Sequence, residues 1–173
     1  MAQEFVLETE RLLLRHWRLE DAALQRELWT ERDPRVPSHR RIDAEGRPTV
    51  EDLKDRIRRR DPSRPGGLLA IVRKGSEDVI GYSGLNENLQ GPPDEPELAY
   101  ELLRRAWGHG YATEASWAVV GWAETLGYHR LWAGVRDWNI ASRRVLAKLG
   151  FVETENIERD SVHGDSILTT KAL

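Results

Sequence analysis

One stretch of this sequence combines two glycines with the start of a predicted helix. It reads Arg105-Ala106-Trp107-Gly108-His109-Gly110-Tyr111-Ala112 and lies directly after a predicted strand. Gly108 and Gly110 allow backbone dihedrals, and a close approach of a ligand, that a Cβ atom would prevent. The first turn of the helix adds unpaired N–H groups and the positive end of the helix dipole. The stretch therefore predicts a binding site for phosphate or pyrophosphate.

Two better-known phosphate-binding turns do not fit this stretch. A Walker-type loop ends in Gly-Lys-Ser or Gly-Lys-Thr, and neither occurs in the chain. A Rossmann fingerprint needs a small residue three positions after Gly110, where the chain has Thr113. One alternative stays open, in which the glycines only allow the helix to pack closely on its neighbours.

A second group of polar residues lies at the start of the next predicted helix. Within Asp137-Trp138-Asn139-Ile140-Ala141-Ser142, the spacing of three places Asn139 and Ser142 on one helical face, in the opening turn. Two interpretations stay open for this pair. It forms part of a binding site, or Asn139 only caps the helix, a role that suits its side chain.

Taken together, these two motifs resemble a known cofactor site. Arg105-x-x-Gly108-x-Gly110-x-Ala112 and Asn139-x-x-Ser142, the latter followed by Leu149-Gly150-Phe151, look like the acetyl-coenzyme A site of the GNAT superfamily of N-acetyltransferases. Three further runs resemble its ribosomal-protein N-terminal acetyltransferase-like branch: Leu7 to Arg15, Ile80-Gly81 and Trp107 to Ala115. The resemblance covers roughly residues 7–170.

The resemblance implies an α/β (α+β) fold with a mixed, mostly antiparallel sheet flanked by helices. A parallel strand pair, Leu98 to Leu103 and Leu131 to Val135, would splay open to form the acetyl-CoA cleft. The residues implied to hold the pyrophosphate, through their backbone N–H groups, are Gly108, His109, Gly110 and Ala112. Arg105 would add either its charge or its backbone N–H.

The resemblance also assigns roles to the second motif. Asn139 would hydrogen-bond the pantetheine arm, and Ser142 would lie near the sulfur or the phosphates, as a possible proton donor to the departing thiolate. In many relatives a tyrosine on this helix is the proton donor, but the segment from Asn139 to Leu149 contains none. Ser142 or water is therefore the expected substitute.

Amide formation from a thioester also needs a proton acceptor and a donor to the developing oxyanion. Backbone N–H groups near Leu102 and Leu103 are the expected oxyanion donors. Strand alternation puts Glu97 and Glu101 on the same face, where either carboxylate could accept the proton if its pKa is raised. Glu101 is preferred as the nearer to the thioester, and a solvated or ion-paired carboxylate is the alternative for each.

Composition limits the chemistry further. The chain has 173 residues, a net charge of −3 and no cysteine, so no thiolate nucleophile, disulfide or Cys-ligated zinc is available. The five histidines lack spacing such as His-Glu-x-x-His, so no metal is expected. The length fits a single domain spanning residues 1–173. Because the chain has no cysteine to carry the acetyl group as a thioester, acetyl transfer must be direct.

The charge also bears on partners and location. A mildly acidic chain has no bulk electrostatic reason to bind nucleic acid or an anionic membrane. The first ten residues lack a signal-peptide pattern and no long apolar run occurs, so a cytoplasmic protein is expected. Edge strands and seven tryptophans make a homodimer plausible.

Hydrophobic periodicity predicts the elements that position these residues. The expected strands are Phe5 to Leu7, Arg11 to Arg15, Leu68 to Arg73, Asp78 to Leu85, Leu98 to Leu103, Leu131 to Val135, Phe151 to Ile157 and Ser166 to Thr170. The expected helices are Leu19 to Trp29, Thr49 to Arg60, Ala112 to Leu126 and Asn139 to Leu149. A helical crossover between two strands predicts that they are parallel.

The expected function is transfer of acetyl from acetyl-CoA to a primary amine, on a protein N-terminus or a small molecule. The alternative is a non-catalytic acyl-CoA-binding or sensing module, which would not depend on Glu97 or Glu101. A dinucleotide-dependent oxidoreductase is disfavoured by Thr113.

Overall fold

The computed structural model describes residues 6–61 and 66–173. Its strands are β1 (Leu7–Glu8), β2 (Leu12–Arg15), β3 (Gly67–Arg73), β4 (Val79–Asn86), β5 (Glu97–Leu102), β6 (Arg130–Arg136), β7 (Val152–Glu158) and β8 (Ser166–Ala172). Its helices are α1 (Ala22–Glu31), α2 (Val50–Arg58), α3 (Tyr111–Thr125) and α4 (Ile140–Lys148). The expected elements are present with ends shifted by up to three residues; Phe5 lies outside the described residues.

The strands of the described residues join in one sheet with the order β1-β2-β3-β4-β5-β6-β8-β7. Neighbours pair antiparallel except β5 and β6, which are parallel and connected by α3. A parallel pair needs such a crossover, because a tight turn can only reverse the chain. The mixed, mostly antiparallel sheet and its one parallel pair are therefore confirmed.

The two faces of β5 are covered by different helices. Leu98 is buried in the main core together with Ala115 and Val119 of α3. The side chain of Glu101 points to the other face, where it meets Arg32 at the C-terminal end of α1. Alternation along one strand thus separates an apolar face under α3 from a polar face beside α1.

Local sequence explains where the helices begin and end. Thr49 and Asp52 form a reciprocal capping box at the start of α2. The side chain of Asn139 accepts a hydrogen bond from the Ser142 N–H and so caps α4. Gly127, with a left-handed φ of 85°, follows the end of α3, as its position in the sequence predicts.

Candidate active site

A gap opens in the sheet between β5 and β6. In the described part of the chain these strands pair only where Glu97 lies beside Trp132. On the outer sides the ladders continue, from Gly81–Leu102 to Asn86–Glu97 with β4, and from Arg130–Ala172 to Arg136–Ser166 with β8. The two strands are thus joined near the start of β5 and separate toward its end, which gives the expected splayed pair.

The hydrogen bond of Leu103 shows which backbone groups face this gap. The Leu103 N–H donates to the carbonyl oxygen of Ile80 at 2.9 Å, on the β4 side. Because successive N–H groups of a strand point to opposite sides, those of Leu102 and Tyr100 point into the gap. Of the two expected oxyanion donors, Leu102 has its N–H in the gap and Leu103 has its N–H engaged elsewhere.

The turn between β5 and α3 has the left-handed conformation that its glycines allow. The φ angles of Gly108 and Gly110 are 77° and 79°, and Gly110 directly precedes α3. As a glycine, Gly110 has no side chain with which to cap the helix. The first intrahelical bond runs from the Glu114 N–H to the Gly110 carbonyl oxygen at 3.0 Å, so the earlier N–H groups have no intrahelical acceptor.

Side-chain contacts stabilise the segment that leads from β5 to α3. The Arg105 guanidinium lies 2.6 Å from a carboxylate oxygen of Glu27 in α1. The Trp107 indole N–H donates to the Leu102 carbonyl oxygen at 2.9 Å, and His109 Nδ1 lies 2.7 Å from the Trp107 carbonyl oxygen. Because Glu27 balances the charge of Arg105, the turn offers an anion mainly backbone N–H groups.

The first turn of α4 is tied to β5 by a tyrosine. The Tyr100 hydroxyl donates to the Ser142 carbonyl oxygen at 3.0 Å and lies 2.8 Å from Ser142 Oγ. Burial raises the pKa of Tyr100 to about 12, so the phenol stays protonated at neutral pH. Asn139 Oδ1 accepts from the Ser142 N–H at 3.1 Å, which leaves the amide NH₂ of Asn139 as its remaining donor.

Both carboxylate oxygens of Glu101 are engaged. Arg32 holds them in a bidentate pair at 2.9 and 2.8 Å, and the Tyr82 hydroxyl donates to Oε2 at 3.0 Å. The Arg32 and Glu101 side chains are only 12% and 19% exposed. Burial, together with the Glu101 carboxylate, raises the pKa of Tyr82. Arg32 also donates to the Arg40 carbonyl oxygen at 2.9 Å, so this network fastens the α1–α2 connection to β5.

The surroundings of Glu97 are different. Its carboxylate has no hydrogen-bond or ion-pair partner among residues 6–61 and 66–173, and partial burial raises its pKa. Desolvation disfavours the charged form, so this carboxylate binds a proton more readily than that of an ordinary glutamate. Glu97 sits where β5 and β6 are still joined, at the narrow end of the gap.

The predicted site residues thus fall into connected groups, and Tyr100, Arg32 and Tyr82 join them as residues that the sequence did not single out. Tyr82 is the register partner of Glu101 on β4, so strand pairing could have linked these two. Nothing in the spacing links Tyr100 to Ser142 or Arg32 to Glu101. In the described residues, no cluster of three or more potential metal ligands occurs, and no helix has the length and apolar character needed to cross a bilayer.

Comparison with known proteins identifies the family. Residues 11–152 match the family model described as an acetyltransferase (GNAT) domain. The chain is 31% identical over 160 residues to the uncharacterized N-acetyltransferase p20 of Bacillus licheniformis, covering 89% of this chain and 85% of that protein. The chain therefore belongs to the GNAT acetyltransferase family, as its motifs predict.

Solved structures share the fold. A GNAT-family acetyltransferase from Bacillus anthracis superposes with a TM-score of 0.77 at 20% identity, covering 96% of this chain and 97% of that one. The ribosomal-protein-S5-alanine acetyltransferase from Vibrio fischeri gives a TM-score of 0.73 at 22% identity, covering 95% and 94%. A spermidine N-acetyltransferase variant from Vibrio cholerae gives 0.74 at 16% identity, covering 95% of each chain.

Proposed function

We propose that this protein transfers an acetyl group from acetyl-CoA directly to a primary amine within a ternary complex. The observation that carries the proposal is the gap between β5 and β6, which leads to the uncapped N-terminus of α3 after Gly108 and Gly110. An elongated ligand with an anionic part fits that combination, because the gap exposes strand N–H groups and the helix end attracts negative charge. Acetyl-CoA has an extended pantetheine arm and a pyrophosphate.

In this proposal the backbone N–H groups of Gly108, His109, Gly110 and Ala112 bind the pyrophosphate. Gly108 supports the assignment, since a Cβ added there would meet nothing within 4 Å and the approach to the turn is open. Asn139 uses its side-chain oxygen to cap α4 and its amide NH₂ to donate to the pantetheine arm. The Leu102 N–H, which points into the gap, is available to the thioester or the arm.

We assign the proton acceptor to Glu97 rather than to Glu101. A general base needs a free lone pair and a pKa close to the working pH. The unpartnered, partly buried Glu97 has free lone pairs and a pKa raised above its ordinary value by burial, whereas Arg32 and Tyr82 occupy both oxygens of Glu101. Glu101 then acts as a positioning residue that fixes Arg32 and the α1–α2 connection.

The reaction balances with these groups. The neutral amine nitrogen forms a bond to the thioester carbon, the C–S bond breaks, and the nitrogen loses a proton to Glu97. Ser142 Oγ donates a proton to the departing sulfur and takes one back from solvent, while Glu97 releases its proton to solvent, so that the net products are the amide and the CoA thiol. Tyr100 lies 2.8 Å from that oxygen and orients it without ionising, since its pKa is about 12.

The acceptor is a protein N-terminus or a small-molecule amine. Among proteins of the same fold, one is named for a ribosomal-protein alanine and another for spermidine. A cytoplasmic homodimer completes the proposal, and size-exclusion chromatography with light scattering would test the dimer.

Thermal unfolding with acetyl-CoA, CoA and NAD is the first test. A ligand at about 100 times its Kd adds roughly 2.7 kcal/mol, which raises the Tm of a domain of this size by roughly 5–10 °C. Both CoA species should raise the Tm and NAD should not. Mass spectrometry with an amine panel then separates an enzyme, which acetylates, from a sensing module, which only binds. No shift at saturating CoA would contradict the proposal.

A further inference from the structure

A second cavity lies away from the turn that precedes α3. It has a volume of about 400 Å³ and is formed by α1, α2 and the connection between them. Four arginines line it together with the indole of Trp29: Arg41, Arg47, Arg56 and Arg59. None of the residues assigned to acetyl-CoA above belongs to its lining.

These four guanidinium groups differ from most others in the protein. Arg32 and Arg58, for example, pair with Glu101 and Asp55 at 2.8 and 2.6 Å. Within residues 6–61 and 66–173, none of the four cavity arginines has a carboxylate oxygen at ion-pair distance. In the same part of the chain, the buried Nε of Arg41 lacks a hydrogen-bond partner. A buried donor without an acceptor costs free energy.

Three aspartates share the lining, but local bonds already engage them. Asp43 accepts from the backbone N–H groups of Glu45 and Arg47, and so holds the turn in the α1–α2 connection. Asp52 accepts from the Thr49 N–H and hydroxyl at the start of α2, and Asp55 pairs with Arg58. The cavity therefore offers a ligand mainly guanidinium donors.

We propose that this arginine-lined cavity binds an oxyanion, either a carboxylate or a phosphate group. The planar guanidinium matches both groups in a bidentate manner, and the Trp29 ring gives the cavity one flat wall. Arg32 stacks on that ring at 4.1 Å and also pairs with Glu101, so two side-chain contacts join the cavity to β5. The oxyanion belongs either to the amine acceptor itself or to a separate phosphate-bearing molecule.

Nuclear magnetic resonance tests the site without any acetyl transfer. CoA is added at saturation to occupy the turn before α3, and inorganic phosphate is then titrated while the indole N–H resonance of Trp29 is followed. Trp29→Phe assigns that resonance. We expect a saturable shift at Trp29 and none at Trp117, which lies on α3 outside the cavity.

Arg56 of α2 and Arg59, the residue directly after this helix, are both exposed and supply the variants. Arg56→Gln and Arg59→Gln should each weaken phosphate binding roughly ten- to a hundredfold, the loss typical of hydrogen bonds to a charged group. Arg144→Gln is the matched control, because it removes one positive charge from α4 outside the cavity. Absence of a saturable shift in the wild-type protein, or equal loss in the control, would overturn the proposal. Neither result bears on whether CoA binds.

A pair of acceptors distinguishes the two sources of the oxyanion. The pair consists of one amine substrate with a terminal carboxylate and the same compound with a carboxamide. If the acceptor supplies the oxyanion, the carboxylate compound has the lower KM, and Arg56→Gln removes that preference while kcat is retained. Equal KM values, with phosphate still bound at Trp29, assign the site to a separate molecule.

Discussion

Replacing Glu97 with Gln should remove the proposed proton acceptor while keeping the size and shape of the side chain. We expect kcat to fall by about 10²- to 10⁴-fold, the usual contribution of an acid–base group, with little change in acetyl-CoA affinity. The wild-type rate should rise with pH through the raised pKa of Glu97, because only the carboxylate accepts a proton. That limb of the pH–rate profile should be absent in Glu97→Gln.

The stability of the same variant gives an independent check. A carboxyl group whose pKa is raised in the folded protein binds its proton more tightly there than in the unfolded chain. Its contribution to stability is therefore present below the unfolded pKa and is lost as the pH rises through the raised pKa. Glu97→Gln lacks this loss, so its Tm at neutral pH should equal or exceed that of the wild-type protein.

Glu101→Gln is the matched comparison, since both residues lie on one face of β5. It breaks the bidentate pair with Arg32. The side chains of Arg32 and Glu101 are 12% and 19% exposed. Removing one partner of a fully buried ion pair lowers the free energy of unfolding by about 3–5 kcal/mol, and removing one partner of a surface pair lowers it by about 0–1 kcal/mol. For this partly buried pair we expect a loss of about 1–3 kcal/mol. That loss lowers the Tm by roughly 2–12 °C and raises the acceptor KM more than it lowers kcat.

Steady-state kinetics with varied acceptor, together with thermal unfolding of both variants, decides the assignment. A Glu97→Gln enzyme with wild-type kcat, beside a Glu101→Gln enzyme with unchanged Tm and a hundredfold lower kcat, would refute it. The reasoning from occupied carboxylate oxygens would then be wrong, and Glu101 would be the proton acceptor despite its bonds to Arg32 and Tyr82.

Three further predictions concern the cofactor side of the gap. Gly108→Ala and Gly127→Ala should each lower the free energy of unfolding by about 1–2 kcal/mol, because both glycines have a left-handed φ and an added Cβ would meet no other atom within 4 Å. Calorimetry should show weaker CoA binding for Gly108→Ala alone. Asn139→Asp keeps an oxygen to cap α4 and loses the NH₂, so the acetyl-CoA KM should rise while the Tm stays constant; an unchanged KM would limit Asn139 to capping. Tyr100→Phe and Ser142→Ala should each lower kcat and leave KM nearly unchanged. The double variant should have the same kcat as Ser142→Ala, because Tyr100 acts through Ser142 Oγ; additive losses in kcat would show that Tyr100 acts independently of Ser142.

The sequence predicts the elements because their signals are local. The apolar stripe of α3 and the glycine at its end define that helix without any tertiary information. The spacing of Asn139 and Ser142 predicts either a cap or a binding site; the structure shows the capping hydrogen bond, which leaves the Asn139 NH₂ available for binding. The parallel pair could be inferred because a helical crossover leaves few alternatives.

The bonding partners could not be predicted in the same way. Arg32 and Glu101 are 69 residues apart, and their pairing depends on how α1 packs against the sheet. The engagement of Leu103 N–H by Ile80 follows from the register of β4 and β5, which one-dimensional patterns do not specify. Side-chain availability is thus a tertiary property, and it redirects the proton-acceptor assignment from Glu101 to Glu97.

The single pairing between β5 and β6 has a consequence for cooperativity. It leaves the sheet as two hydrogen-bonded blocks, β1 to β5 and β6 to β8, whose backbones meet in the described residues only at Glu97 and Trp132. Helix α3, the Tyr100–Ser142 contact and the hydrogen bond from the Trp132 indole to Glu95 provide further links. A ligand that fills the gap would bind Leu102 of β5 on one side and Asn139, which follows β6, on the other, so hydrogen exchange in β6 and α4 should slow when it binds. Substrate binding would then couple the two halves of the sheet, so that they open together rather than separately.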